Sequence, residues 1–131
     1  MERTLSYGFG RRLEMPYEEA VARTREALKG QGFGVISEID VRQTMKEKRG
    51  VDFRPYVILG ACNPEMAERA LEAEIDLGLL LPCNVVVYQS DGGSVVEAMD
   101  PEAVLGLVRN PSLEAIAREV KEGLRRAIDS L

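Results

Sequence analysis

Asp91-Gly92-Gly93 lies between two apolar runs, and it restricts the fold more than any other feature of the chain. Aspartate and glycine accept positive φ at low cost, so this triplet reads as the tight turn of a hairpin. The flanking runs, residues 84–89 and 94–99, are then adjacent strands. A turn this short commits the sheet to at least one antiparallel pair and rules out a purely parallel, doubly wound architecture.

The rest of the chain alternates strands with helices. Residues 4–13 read as a strand, with Leu5, Tyr7 and Phe9 on one face at period two. Gly8 and Gly10 fall on the other face and point either to a bend or to close packing against backbone. A helix is expected over residues 16–29, with Pro16, Glu18 and Glu19 suited to its first turn. Its inward stripe is Tyr17, Ala20, Val21, Thr24 and Leu28, and Gly30 and Gly32 end it. A second strand covers residues 33–39, with Phe33, Val35 and Ile39 on one face. Asp40 caps a short helix over residues 41–48, which Gly50 closes. The unbroken apolar run 56–61 marks an interior strand. Asn63 caps the next helix, with Pro64 in its first turn and Met66, Ala67, Ala70 and Leu71 facing inward.

An apolar connector at residues 77–82 follows and leads to the hairpin. Its Leu79-Leu80-Leu81 is either folded into the core or exposed as a patch seeking a partner. Asp100-Pro101 starts a short helix and Asn110-Pro111 the last one. Leu113, Ile116, Ala117, Val120, Leu124, Ala127, Ile128 and Leu131 make the last helix one broad apolar stripe suited to lying across a sheet. The order favours an α+β domain: an antiparallel sheet backed by helices. A chain of 131 residues without a long linker fits one domain, residues 1–131.

Composition narrows the functional classes. The net charge is -5, from 22 acidic and 17 basic residues, which argues against a general nucleic-acid binder. No run approaches the roughly 20 apolar residues of a membrane span. The N-terminus lacks a basic segment followed by an apolar one, so a cytoplasmic protein is expected. Histidine is absent. That excludes Ser-His-Asp and Cys-His mechanisms within one chain and removes the commonest metal ligand.

The only two cysteines occur in matching dipeptides, Cys62-Asn63 and Cys83-Asn84. One closes the third strand and the other opens the fourth. If those strands are antiparallel neighbours, both thiols reach the same edge of the sheet. A thiol just before a helix cap can be stabilised as thiolate by backbone donors and the helix dipole. The pair could form a disulfide if the Cα atoms lie within roughly 7 Å. Two thiolates fall short of the four ligands of structural zinc, and suit a soft monovalent ion better. Packing as small apolar side chains is the competing reading. Asn63 is accounted for as a helix cap, and Tyr56, Tyr88 and Met99 as core or sheet-face residues. Lys46, Lys48 and Arg54, with Asp40, could bracket a small anionic ligand near the third strand; otherwise they are a solvated helix end and loop.

Tyr56-Val57-Ile58-Leu59-Gly60-Ala61-Cys62-Asn63-Pro64 and Gly78-Leu79-Leu80-Leu81-Pro82-Cys83-Asn84-Val85-Val86-Val87 resemble the prokaryotic domain-of-unknown-function family numbered 302. Glu38-Ile39-Asp40-Val41, Lys46-Glu47-Lys48 and Asp52-Phe53 extend the likeness over nearly the whole chain. The resemblance implies a TATA-binding-protein-like fold: a curved antiparallel sheet of about five strands with helices packed on one face. It also implies homodimers, and it implies no established activity, cofactor or catalytic residue.

Three functions therefore stand as expectations. The first is a small-ligand or metal binding module with its site at Cys62, Asn63, Cys83, Asn84 and Lys46, any metal falling to Cys62 and Cys83. The second is a thiol-dependent enzyme or redox protein with Cys62 as nucleophile and Cys83 as resolving thiol. The third is a structural or interaction domain whose cysteines only pack.

Overall fold

The computed structural model describes all 131 residues. Six strands form one antiparallel sheet: β1 (Glu2–Leu5), β2 (Gly8–Leu13), β3 (Gly34–Asp40), β4 (Tyr56–Cys62), β5 (Cys83–Ser90) and β6 (Gly93–Met99). Their spatial order is β1-β2-β6-β5-β4-β3. Helices α1 (Tyr17–Gly30), α3 (Pro64–Ala73), α4 (Pro101–Leu105) and α5 (Glu114–Asp129) supply the layer that buries one face. α2 (Val41–Arg49) lies beside β3 and β4 and buries no residue completely.

The hairpin forms as its turn chemistry demands. Asp91 and Gly92 hold φ of 45° and 77°, and Ser90 pairs with Gly93. The central strands β5 and β6 place Val85, Val87 and Val96 at 0% exposure under α1 and α5. In α5 the whole apolar stripe is buried except Leu131, which remains half-buried. Side-chain caps fall where expected. Asp40 accepts from the Gln43 N–H at 3.0 Å, Asn63 from the Met66 N–H at 3.2 Å, and Asp100 from the Glu102 N–H at 2.9 Å.

Two expectations need correction. The segment read as one strand over residues 4–13 turns back at Ser6-Tyr7, so the sheet has six strands rather than about five. Leu5 and Tyr7 consequently sit at an exposed hairpin tip, 37% and 65% exposed, while Phe9 is in the core at 1%. In β3, the register slips between Val35 and Ser37. This bulge inserts one residue and reverses the alternation beyond it. Val35 therefore faces the helices, opposite Ala61, whereas Ile39 faces the uncovered side opposite Ile58 and is 50% exposed.

Glycines in β2 answer the choice between bending and close packing. A Cβ built on Gly10 would lie 2.7 Å from the Glu97 Cα of β6 and closer still to the Val96 carbonyl oxygen. The strands approach too closely there for any side chain.

The uncovered face is polar at one end and apolar in the middle. Tyr56 and Tyr88 stack with ring centroids 5.3 Å apart, Phe53 leans on Tyr56, and the Arg54 guanidinium covers Tyr88. Arg3 and Glu97 form an ion pair at 3.1 Å on the same face.

Candidate functional site

β4 and β5 are antiparallel neighbours, and their register sets Ala61 opposite Cys83. Cys62 is therefore one residue from the partner position of Cys83. The two cysteines thus stand on adjacent strands one residue out of register, and both are free thiols. Cys83 points into the helical layer and is 7% exposed; Cys62, at the strand end, is half-buried.

The chain then turns directly into α3 through Asn63. The Asn63 amide is held from two sides. Its oxygen caps α3, while Gly32, at φ 83°, brings the loop after α1 so near that an added Cβ would be 3.4 Å from Asn63 Nδ2. Phe33 follows and presses its ring on α5, where a Cβ at Gly123 would be 2.9 Å from Phe33 Cε2.

A half-open cavity of about 340 Å³ lies inside this turn. Ala61 and Cys83 form its sheet wall, and Met66, Ala67, Ala70 and Leu71 its α3 wall. Leu81 and Pro82 close it from the connector, Leu105, Ile116 and Val120 from α4 and α5. Ile36, displaced outward by the β3 bulge, is 65% exposed at its mouth. Small residues leave the space: alanines at 61, 67 and 70 and glycine at 78 stand where larger side chains would fill it. Its apolar lining, rather than its volume, sets it apart from the other depressions on the surface. It is more than twice the ~150 Å³ of an apolar cavity that accommodates benzene. The Cys62 and Cys83 thiols, the Asn63 amide and the backbone are its only polar elements.

Three of the five expected ligand residues, Cys62, Asn63 and Cys83, line this cavity. The other two do not. Asn84 alternates onto the uncovered face opposite Gly60 and is exposed. Lys46 stands on α2, where it pairs with Asp52 at 3.2 Å beside a separate shallow depression. The period-two alternation of a strand is the reason for Asn84: adjacent residues cannot share a face. Met66, Ile116 and Val120 were legible as inward stripes but not as walls of a common space, and Leu105 carried no such signal.

Burial governs both thiols. It raises the Cys62 pKa above its ordinary value. Burial, together with charge on Cys62, pushes Cys83 up to about 11. The helix start after Asn63 does not offset this desolvation. No third His, Cys, Asp or Glu joins the pair to form a cluster of hard or borderline metal ligands. Beyond the cavity, the Arg109 and Arg118 guanidiniums border a larger groove between α4 and α5, but Glu102 and Glu114 share it.

Fold and site together define a class: an α+β domain whose single antiparallel sheet carries helices on one face and a cysteine-edged apolar cavity at the β4–α3 turn. The chain belongs to the family described as domain of unknown function DUF302, whose model matches residues 9–131. It is similar to a solved structure, the uncharacterized conserved protein DUF302 from Bacillus stearothermophilus. That likeness has a TM-score of 0.87 and 34% identity, and covers 94% of this chain and 96% of that chain. No curated protein matches the chain. No helix is long and apolar enough to cross a membrane.

Proposed function

We propose that the protein is a binding module for a small, predominantly apolar ligand held in the cavity beside Cys62, Asn63 and Cys83. The observation that carries this reading is the cavity's composition. An apolar-walled space of about 340 Å³, with its few polar groups gathered at one end, is the usual form of a small-molecule site. The alternative with Cys62 as nucleophile is weaker, because burial favours the protonated thiol and the thiolate is the reactive form. Free thiols at both positions suit a reducing cytoplasm, where we place the protein.

An environment-sensitive naphthalenesulfonate dye, titrated into the native protein, tests the proposal. Saturable binding is expected with one dye per chain, and an accompanying rise in Tm. Ala67→Phe fills the cavity from a half-buried helix position and should abolish binding without unfolding the chain. Equal dye binding by the wild type and Ala67→Phe would show that the cavity is not the site.

We also propose a homodimer joined through the uncovered sheet face. Ile39, Ile58, Val86, Tyr56 and Tyr88 give that face an apolar centre, and none of them is fully buried in the single chain.

A further inference from the structure

We propose that the cavity wall also holds a soft monovalent cation of the Cu(I) type, bound by the sulfur atoms of Cys62, Cys83 and Met66. This goes beyond the apolar-ligand reading: it assigns the same cavity a different ligand, held by sulfur atoms rather than by the apolar walls.

Three sulfur-bearing side chains line one cavity from three directions: Cys62 from the end of β4, Cys83 from the start of β5 and Met66 from the first turn of α3. No carboxylate or imidazole lines it with them. Thiolate and thioether donors without hard ligands select Cu(I) over Mg(II), Ca(II) or Mn(II). Zinc is disfavoured for a separate reason: its structural sites require four ligands, and no further His, Cys, Asp or Glu clusters here. Cu(I) accepts two or three ligands.

Cys62 closes β4 one residue past the partner position of Cys83, and at that strand end both side chains line the same cavity. Met66 Sδ accepts a hydrogen bond from Arg69 Nη1 at 3.4 Å. Methionine's three rotatable bonds let the same sulfur swing towards the thiols. Binding proceeds by exchange. Each thiol gives its proton to solvent as its sulfur bonds to Cu(I), so one cation replaces two protons and the site gains one net negative charge. The nearby Arg69 guanidinium is bonded to Met66 in the empty site and also pairs with Glu119 at 3.6 Å, so it offsets that charge only in part.

The test is anoxic competition for Cu(I) between the native protein and bathocuproine disulfonate, with far-ultraviolet circular dichroism to confirm folding. Wild type is expected to retain one Cu(I) per chain. Cys62→Ser and Cys83→Ser should each lose it, and Met66→Leu should weaken retention by more than about tenfold, the scale on which even outer-shell partners matter. Two-proton exchange predicts that log affinity rises by two for each pH unit below the thiol pKa values. X-ray absorption should show sulfur neighbours only. Retention unchanged in either serine variant, or in Met66→Leu, would overturn the three-sulfur site, as would nitrogen or oxygen ligands in the absorption spectrum. If Cys83→Ser does not fold, the half-exposed Cys62 and Met66 variants decide the matter. Dye binding is read separately, so failure of the apolar-ligand reading leaves this result intact, and the converse holds.

Discussion

Cys83 is the titratable side chain that burial shifts furthest. Its thiol lies opposite Ala61 with almost no solvent access, and its pKa moves from 9.0 to about 11. The raised value favours the neutral form in the native state. Below pH 9 both native and unfolded thiols keep their protons, so stability is unaffected. Between about 9 and 11 the unfolded thiol ionises while the native one does not, and stability falls as pH rises. A shift of this size corresponds to roughly 3 kcal/mol across that window. Urea denaturation from pH 8 upward, compared between wild type and Cys83→Ala, measures it. The variant should lack this component of the alkaline decline, and parallel curves would contradict the assignment. The same burial slows reaction at Cys62. Iodoacetamide at neutral pH should label native Cys62 more slowly than a free cysteine, and Cys83 only after unfolding. Rapid labelling of Cys62 would revive the nucleophile reading.

At the scale of elements, the cavity is bounded by one capped helix start, and the far side of the sheet by strands packed unusually close. Asn63 ties α3 to the end of β4, and loss of its cap should cost about 1 kcal/mol. Asn63→Ala should show that loss in chemical denaturation, while Asn63→Asp, which keeps an acceptor, should recover most of it. Glycine positions separate tight packing from free space. Gly10→Ala would drive a Cβ into the β6 backbone and should destabilise by about 1–3 kcal/mol. Gly30→Ala, at the end of α1 with nothing within 4 Å, should be neutral or slightly stabilising. Equal effects at the two positions would mean that β2 and β6 are not so closely apposed. The β3 bulge shapes the cavity as well: it sets Ile36 at the cavity mouth and Ile39 on the opposite face.

On the scale of the molecule, one helical layer covers one sheet face and leaves the other bare. In the proposed dimer this bare face is covered, and light scattering should report twice the chain mass. Val86→Glu, which puts a charge at the centre of the bare face, should reduce it to that of one chain. A wild-type mass of one chain at every concentration would refute the dimer.

Local chemistry made much of this architecture legible. Asp91-Gly92 accepts positive φ, Asn63 and Asp40 cap helices, and the spacing from Leu113 to Ile128 draws a single buried stripe; each depends on residues within a few positions of one another. The first hairpin escaped because Ser6-Tyr7 carries no glycine or asparagine to announce a turn, and the β3 bulge because one inserted residue leaves no mark on composition. The approach of Cys62 to Cys83 was open to inference only on the premise that their strands are neighbours, a choice the antiparallel order made good. What the amino-acid order determined was short-range: turns, caps, stripes and family membership. Only the tertiary structure decided that Asn84 faces away, that Lys46 lies apart and that small side chains from β4, α3 and the connector leave a common cavity. The volume of a cavity depends on groups remote in sequence, and no local rule sums them.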